Sequence, residues 1–237
     1  MAVRIVSIDS SHGSQLLVAD AVLDAEHATL SVLSLAEQAE SRRHAESLGG
    51  MLAEALSSPA VAERRLDAVV AATGPAPFTG LRAGLVTARA LGRARGIPVH
   101  GVPSLDAVAR AALDELADEG ATVLVTTDAR RHEVYAARYR ARGADDVECL
   151  DGPAVLTPEA AVALGDVDAV AGSGAALYPQ IGEGRRSLAP VSGDACAQVR
   201  IAMARLAHAG PDATLSAEPL YLRHADVQVS SARKRVR

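Results

Sequence analysis

The sequence predicts an α/β protein built from two related lobes, each with a mixed sheet flanked by helices. Two observations lead to this prediction: apolar strand-like runs alternate with helical patterns, and the order of these elements recurs in the second half of the chain. The chain has 237 residues, which suits one large domain or two smaller lobes. Nearly half of them (49%) are apolar but only 2% are aromatic, so Ala, Val and Leu must build the core.

The first half reads as three strands followed by helices that alternate with further strands. Apolar runs with short connections predict three antiparallel neighbours at Val3–Asp9, Ser14–Leu23 and Ala28–Leu35. Helical spacing and further apolar runs then predict a helix at Ser41–Leu56, a strand at Leu66–Thr73, a helix at Gly80–Arg95, a strand at Ile97–His100 and a helix from Ser104.

The second half repeats this order. Three pairs match in sequence: Asp9 with Asp128 at the end of a strand, Asp67–Gly74 with Asp168–Gly174, and the helix from Ser104 with the segment from Ser192. Matches in the same order indicate an internal duplication. We therefore predict a first lobe at 1–103 and a second lobe at 104–237, with the last helix packing back on the first lobe.

Duplicated lobes of this kind are the plan of the actin-like (ASKHA, RNase H-like) superfamily, in which a nucleotide sits between the lobes. The first hairpin, "DSSHGS", offers Asp9, Gly13 and Ser14 as nucleotide candidates. An ordinary turn in which Asp9 bonds its own backbone explains it equally. The second hairpin has Arg130 and Arg131 where close phosphate approach requires glycine. We expect no tightly bound cofactor, with ATP or ADP only at an interface with a partner.

The loop "TGPAPFTGLR" resembles a phosphate-binding loop without matching one. A P-loop reads GxxxxGK[ST], whereas five residues separate Gly74 from Gly80 and a Leu-Arg pair follows. Thr79 is expected to cap the next helix. Free N–H groups at that helix start can bind an anion, but the loop is better explained as a device that sets where the helix begins.

Two helices carry stripes of small residues four positions apart. These stripes are Gly80, Gly84, Ala88 and Gly92 in one helix, and Ala45, Gly49 and Ala53 in the other. Residues four apart share a helix face, so another helix can approach each stripe closely. The stripes either pack the helices on their own sheet and on each other, or form an interface with a second protein. Because each helix has more than one such face, we favour the interface.

Bulk composition excludes several classes of protein. A net charge of −5 does not suit a dedicated nucleic-acid binder. Cys149 and Cys196 lack zinc-site or CxxC spacing, which predicts free thiols in a reducing compartment. No run is apolar and long enough to span a bilayer, so we expect a cytoplasmic protein with no membrane partner. The basic tail "SARKRVR" is expected to be a solvated end.

The segment "GPAPFTGLRAG" resembles the GPGSFTGLR-type signature of the TsaB (YeaZ) family, with Ala76 and Pro77 in place of a glycine and a serine. The segments "IVSIDSS", "RRHAESL", "GVPSLDAVA", "DARRHEVYAARY" and "PLYLRHADV" follow that family's order. The resemblance covers Val3 to about Val227. TsaB is the non-catalytic subunit in bacterial synthesis of threonylcarbamoyladenosine, a tRNA modification.

The resemblance implies a scaffold with no catalytic residues of its own. It implies binding to a TsaD-like catalytic paralogue, with a TsaE-like ATPase joining, for modification of adenosine 37 in tRNAs reading ANN codons. A homodimer can use the same surface, and tRNA is reached indirectly through the complex. The interface residues carried over by the resemblance are His44, Ala45, Leu48, Leu52, Gly84 and Ala88.

Two enzymatic alternatives remain. TsaD-type subunits bind a metal through an HxxxH pair, but here His44 stands alone with Leu48 at the partner position, so no metal site is expected. The first alternative is an actin-like small-molecule kinase or ATPase that uses the cleft between the lobes, with Asp9 near the metal. The second, a metallopeptidase, lacks a nucleophile–base pair or metal cluster in the sequence.

Overall fold

The first half of the chain forms a five-stranded sheet with helices on one face. The computed structural model describes residues 2–24, 27–39, 44–116, 118, 120–210 and 212–223, with the backbone alone for 44–46. The strands are β1 (Val3–Asp9), β2 (Ser14–Leu23), β3 (Ala28–Gln38), β4 (Ala68–Ala72) and β5 (Val99–Val102). The helices are α1 (His44–Ser57), α2 (Pro59–Ala62) and α3 (Phe78–Arg95).

The second half forms another five-stranded sheet. Its strands are β6 (Thr122–Arg130), β7 (Glu133–Arg142), β8 (Asp146–Leu156), β9 (Ala169–Ala171) and β10 (Arg186–Ser187). The helices are α4 (Ser104–Leu116), α5 (Pro158–Val162), α6 (Ser173–Leu177) and α7 (Ala195–Ala209), with a short 3-10 helix at Pro179–Ile181.

The two sheets share one topology. The first has the order β3-β2-β1-β4-β5 and the second the order β8-β7-β6-β9-β10. In each sheet, the first three strands in chain order pair antiparallel with one another, and the fourth pairs parallel with the first. The predicted fold of two related lobes with mixed sheets is confirmed. The boundary between residues 103 and 104 stays a prediction.

Element boundaries around the β4–α3 loop differ from the sequence prediction. Strand β5 begins at Val99 because the left-handed Gly96 ends α3, and the Ile97 N–H then bonds the carbonyl of Gly92. Helix α3 begins at Phe78 with Pro77 as its N-cap, and no side chain caps it. The expectation that Thr79 is the cap is therefore wrong, because this residue already lies within the first turn.

Both faces of the first sheet are covered. Because successive strand residues point to opposite faces, Val6 and Ile8 of β1 pack with α1 and α3, whereas Ile5 packs with α7. Helix α7 presents Val199 and Ile201 to that second face. The last helix of the second half therefore lies against the sheet of the first.

Helices α4 and α7 contact each other between the two sheets, and charged side chains connect them. Arg205 of α7 reaches Asp106 of α4 at 2.8 Å and Asp146 at the start of β8 at 2.9 Å. Arg200 of α7 reaches Asp145 at 2.7 Å. These ion pairs join α7, which packs on the first sheet, to elements of the second lobe.

Candidate functional site in the first lobe

The carboxylate of Asp9 at the end of β1 is buried and bonded within the chain. Its Oδ1 accepts a 2.7 Å hydrogen bond from the Ser11 N–H, and its Oδ2 accepts a 2.8 Å bond from Nε2 of Gln198. Burial raises the pKa of Asp9 above its ordinary value, opposed by the bonds from Ser11. A Cβ on Gly193 would lie 2.0 Å from Oδ2, so the chain ahead of α7 also packs on this group.

The other two nucleotide candidates also face their own chain. Gly13 has a φ of +75°, and a Cβ there would lie 2.6 Å from the carbonyl oxygen of Gln38. Ser14 is buried at the start of β2. The hairpin is therefore a packed turn that uses the polar groups of Asp9 internally. Nucleotide binding by these three residues stays a prediction.

The second hairpin has an exposed, left-handed tip. Arg130, Arg131 and His132 all have φ values between 57° and 64°, a region that side chains other than glycine seldom occupy. Arg130 pairs with Asp128 at 2.9 Å, and the Asp128 carboxylate also accepts a bond from the Arg130 N–H. The matched aspartates of the two lobes therefore have different surroundings. Asp9 is buried against α7, whereas Asp128 forms an ion pair with Arg130.

The turn Gly172–Ala175 packs directly on β6. A Cβ on Gly172 would lie 2.1 Å from the carbonyl oxygen of Thr126, and one on Gly174 would lie 2.8 Å from its Oγ1. The two glycines therefore serve the close approach of this turn to the strand.

The glycine stripe of α3 faces inward. A Cβ on Gly84 would lie 2.2 Å from Oγ of Ser10, whose hydroxyl donates to the carbonyl of Gly80. A Cβ on Gly92 would lie 2.4 Å from the side chain of Val99. Ala88 is fully buried in the same core. The small residues of this stripe let α3 pack closely on its own sheet. Of the two interpretations open from the sequence, internal packing therefore applies to α3.

Helix α1 presents its glycines to the outside. Gly49 and Gly50 are exposed, and no described atom would lie within 4 Å of a Cβ at either position. Ala53 is exposed beside them. On the neighbouring α3, Val86 has 65% of its surface exposed. We call these four residues the outer helical face.

The six interface residues carried over from sequence are distributed between core and surface. Leu48, Gly84 and Ala88 are buried in the lobe's own core, so their side chains are not available to a partner in this conformation. Leu52 is half-buried. The side chains of His44 and Ala45 lie outside the described residues. A role for these residues in partner binding stays a prediction, and the outer helical face is one exposed part of the same helices.

Sequence reasoning missed the extended segment after α7. Leu220 donates its N–H to the carbonyl of Thr73, and the Leu215 carbonyl accepts from the Gly101 N–H. Gly101 is required here, since a Cβ would lie 2.1 Å from the carbonyl oxygen of Ser216. Arg223 then reaches Glu133 beside the second hairpin. We call residues 215–223 the strap. Its extended conformation gives no periodic signal in the sequence.

The described residues hold neither a cluster of metal-ligating side chains nor a helix that could span a membrane. No group of three or more His, Cys, Asp or Glu side chains comes together as metal ligands would. Within the same ranges, none of the helices combines the length and apolar character needed to cross a bilayer.

A family model described as TsaD, tRNA N6-adenosine threonylcarbamoyltransferase, matches residues 36–224. An uncharacterized protein of Mycobacterium tuberculosis is 45% identical over 144 residues, which are 61% of this chain and 62% of the relative. The tRNA threonylcarbamoyladenosine biosynthesis protein TsaB of Haemophilus influenzae is 32% identical over 94 residues, 40% of this chain and 39% of the relative. The chain spans less than two thirds of the length of the curated relatives it matches first.

A solved structure agrees over nearly the whole chain. YeaZ from Pseudomonas aeruginosa superposes with a TM-score of 0.72 at 25% identity, covering 93% of this chain and 100% of the other. The family match extends over well more than half of the residues, and the structural match includes both sheets. The chain therefore belongs to the TsaD-like family of tRNA threonylcarbamoyladenosine modification, and its relatives in that family include TsaB, also called YeaZ.

Proposed function

We propose that this chain is a non-catalytic scaffold subunit that binds a TsaD-like catalytic paralogue. In this proposal the complex, joined by a TsaE-like ATPase, modifies adenosine 37 in tRNAs reading ANN codons. The observation that carries the proposal is the outer helical face, where α1 keeps Gly49 and Gly50 in open space. Each glycine inside a helix costs about 1 kcal/mol relative to alanine, and no contact with another described residue explains that cost here.

The chemistry of the outer helical face suits a helix of a second protein. Gly49 and Gly50 have no side chain and Ala53 has only a methyl group, so this exposed side of α1 is nearly flat. A partner helix can therefore approach its backbone closely. Val86 adds an exposed apolar side chain on the adjoining helix. A second copy of this chain presents the same face, so a homodimer competes with the complex with the paralogue.

Asp9 supports the non-catalytic assignment. A carboxylate that assists a metal–nucleotide must be free to meet it, whereas Asp9 is bonded to Gln198 and Ser11. In the proposal, ATP or ADP binds only where a partner completes the site.

The test is reconstitution of tRNA modification from purified paralogue and ATPase, with and without this chain. Gly49→Arg and Val86→Arg place a long charged side chain on the outer helical face, and we expect both to prevent assembly on size-exclusion chromatography and to abolish modification. Neither position is packed internally, so the melting temperature should stay within a few degrees of the wild type. Leu177→Arg is the matched control, since Leu177 is 53% exposed in the other lobe.

Wild-type assembly with both arginine variants would show that the outer helical face is not the interface. Modification that proceeds equally well without the chain would overturn the scaffold role. ATP turnover by the isolated chain that is lost in Asp9→Ala would instead identify the ATPase alternative.

A further inference from the structure

An exposed aromatic and arginine cluster lies where the strap crosses the start of α3. The rings of Phe78 and Tyr221 meet edge to face, with centroids 5.2 Å apart and planes at 80°. The guanidinium carbon of Arg82 lies 5.4 Å from each ring centroid, and its Nε donates a 2.9 Å bond to the Tyr221 hydroxyl. Arg82 is exposed, and Tyr221 is 42% exposed.

This cluster is unusual for the chain. Phe78 is the only phenylalanine among 237 residues, and there is no tryptophan. Tyr135 and Tyr139 are buried and Phe78 and Tyr178 are half-buried, which leaves Tyr221 as the most exposed aromatic side chain of the described residues. The described part of the chain therefore exposes its aromatic surface mainly here. The planar guanidinium of Arg82 lies against both rings.

The basic surface continues from this cluster to the second hairpin. Arg223 lies two residues beyond Tyr221 on the strap, and its guanidinium bonds the carbonyl of Arg130 at 3.1 Å. We call the arginines of α3, the hairpin and the strap in this region the arginine strip: Arg82, Arg89, Arg130, Arg131 and Arg223.

One arginine of the arginine strip bonds a neutral group. Arg89, Arg130 and Arg223 pair with the carboxylates of Glu218, Asp128 and Glu133, whereas Nε of Arg82 bonds the hydroxyl of Tyr221. The whole chain has a net charge of −5. The residues after Arg223, which lie outside the described part, continue the basic character in sequence, since 224–237 hold four Arg or Lys and one Asp.

We propose that the arginine strip, with the rings of Phe78 and Tyr221, is a contact surface for the tRNA substrate. Arginine binds phosphate through its planar fork, and exposed rings beside guanidinium groups stack with unpaired bases. The identification of the RNA as tRNA rests on the proposed function; the choice of a polyanion with exposed bases rests on the cluster itself. An acidic partner protein would form ion pairs with the arginines. It would gain little from the rings of Phe78 and Tyr221, which lie edge to face beside Arg82.

The experiment measures binding of a fluorescently labelled tRNA transcript to the purified full-length chain by anisotropy, at salt concentrations between about 50 and 200 mM. Arg82→Gln removes one exposed charge and the contact with both rings. We expect it to weaken binding about fivefold at the lower salt and to reduce the slope of log affinity against log salt by about one. Arg82→Lys keeps the charge, so it should retain the salt slope while binding more weakly than the wild type.

Arg95→Gln is the matched control. It makes the same change on the same helix, about 20 Å away along its axis, and should leave binding unchanged. The proposal is overturned if the wild type does not bind tRNA at low salt, if Arg82→Gln binds as the wild type does, or if Arg95→Gln weakens binding equally. Loss of paralogue binding in Arg82→Gln with unchanged tRNA binding would show that the strip contacts a protein.

The outcome separates this inference from the proposed function. Assembly with the paralogue is measured without RNA and depends on the outer helical face, whereas tRNA binding is measured on the chain alone. Normal assembly with no tRNA contact refutes only the arginine strip. Binding of tRNA at the strip without assembly refutes only the scaffold.

Discussion

Nε2 of Gln198 in α7 lies 2.8 Å from Oδ2 of Asp9 in β1, a bond between residues 189 positions apart in the chain. The same amide accepts a 2.9 Å bond from Oγ of Ser7. Gln198 and Ser7 are fully buried, and Asp9 nearly so. One side chain from the last helix therefore satisfies two polar groups of the first strand and closes the hairpin that the sequence marks as a nucleotide candidate.

Gln198→Leu tests how much this contact stabilises the fold. The change conserves volume but removes the partner of Asp9 Oδ2 and of the Ser7 hydroxyl, and an unmet buried polar group costs about 1–3 kcal/mol. We expect the free energy of unfolding at neutral pH, measured by urea titration, to fall by about that amount. Gln180→Leu, at an exposed position, should change it by less than about 0.5 kcal/mol. Equal stability of the two variants would contradict a structural role for Gln198.

Asp9 and Asp20 should respond to pH in opposite directions. Burial raises the pKa of Asp9 above 3.8, so the folded state holds its proton more tightly than the unfolded state does. The contribution of Asp9 to stability is therefore greatest below that value and is lost as pH rises through the raised pKa. Hydrogen bonds from Arg4 lower the pKa of Asp20 below 3.8. Its contribution is present above 3.8 and is lost as pH falls through the lowered pKa.

Asparagine at each position removes the titration. Relative to the wild type, Asp9→Asn should gain stability as pH rises from about 4 towards neutrality, whereas Asp20→Asn should be destabilising at neutral pH and less so near pH 3. The measurement is the difference in unfolding free energy between each variant and the wild type across that range. The assignment fails if both differences change in the same direction.

Alanine substitution should have opposite effects on glycines of neighbouring helices. At Gly49 and Gly50 a Cβ enters open space, so each substitution should raise the free energy of unfolding by roughly 0.5–1 kcal/mol through helix propensity. At Gly84 a Cβ would lie 2.2 Å from Oγ of Ser10. Overpacking of this kind costs about 1–3 kcal/mol, which exceeds the gain in propensity. Thermal denaturation of the three single variants measures both signs, and a stabilising Gly84→Ala would refute the tight packing.

The architecture was predictable because its signals are local. Apolar runs and short turns indicated β1 and β2 with the bounds the structure shows, and matched strand ends at Asp9 and Asp128 indicated the duplication. Boundaries near the β4–α3 loop were less accurate, because Pro77 and Gly96 set the ends of α3 through backbone geometry. Helix propensity does not determine which of several adjacent residues becomes the first or the last residue of a helix.

The candidate surfaces were harder to predict because they depend on which face of a helix is covered. Both stripes have the same spacing, yet the stripe with Gly84 packs on Ser10 and the one with Gly49 meets no described atom. Only the placement of the helices on the sheet separates these cases. Arg82 and Tyr221 are 139 positions apart, and contact between a helix start and an irregular segment has no periodicity to reveal it.

Arg205 tests whether ion pairs hold α7 to the second lobe. Its guanidinium bonds Asp106 and Asp146, whose side chains are 10% and 7% exposed. Burial raises the pKa of Asp106, and attraction to Arg205 opposes that rise. The arginine therefore favours the ionised form of a buried carboxylate, to which the Tyr139 hydroxyl also donates a 3.0 Å bond.

Arg205→Met keeps most of the apolar stem but leaves the buried carboxylate of Asp106 without its cation and that of Asp146 with Arg142 alone. Breaking a buried pair in this way costs about 3–5 kcal/mol, and we expect a loss at the lower end because Arg205 is partly exposed. Arg140→Met is the control, since Arg140 and Glu148 form a pair that is 53% and 43% exposed, which contributes about 0–1 kcal/mol. The loss in Arg205→Met should shrink as pH falls and Asp106 protonates. A loss no larger than that of Arg140→Met, or one independent of pH, would show that the ion pairs of Arg205 do not hold α7 to the second lobe.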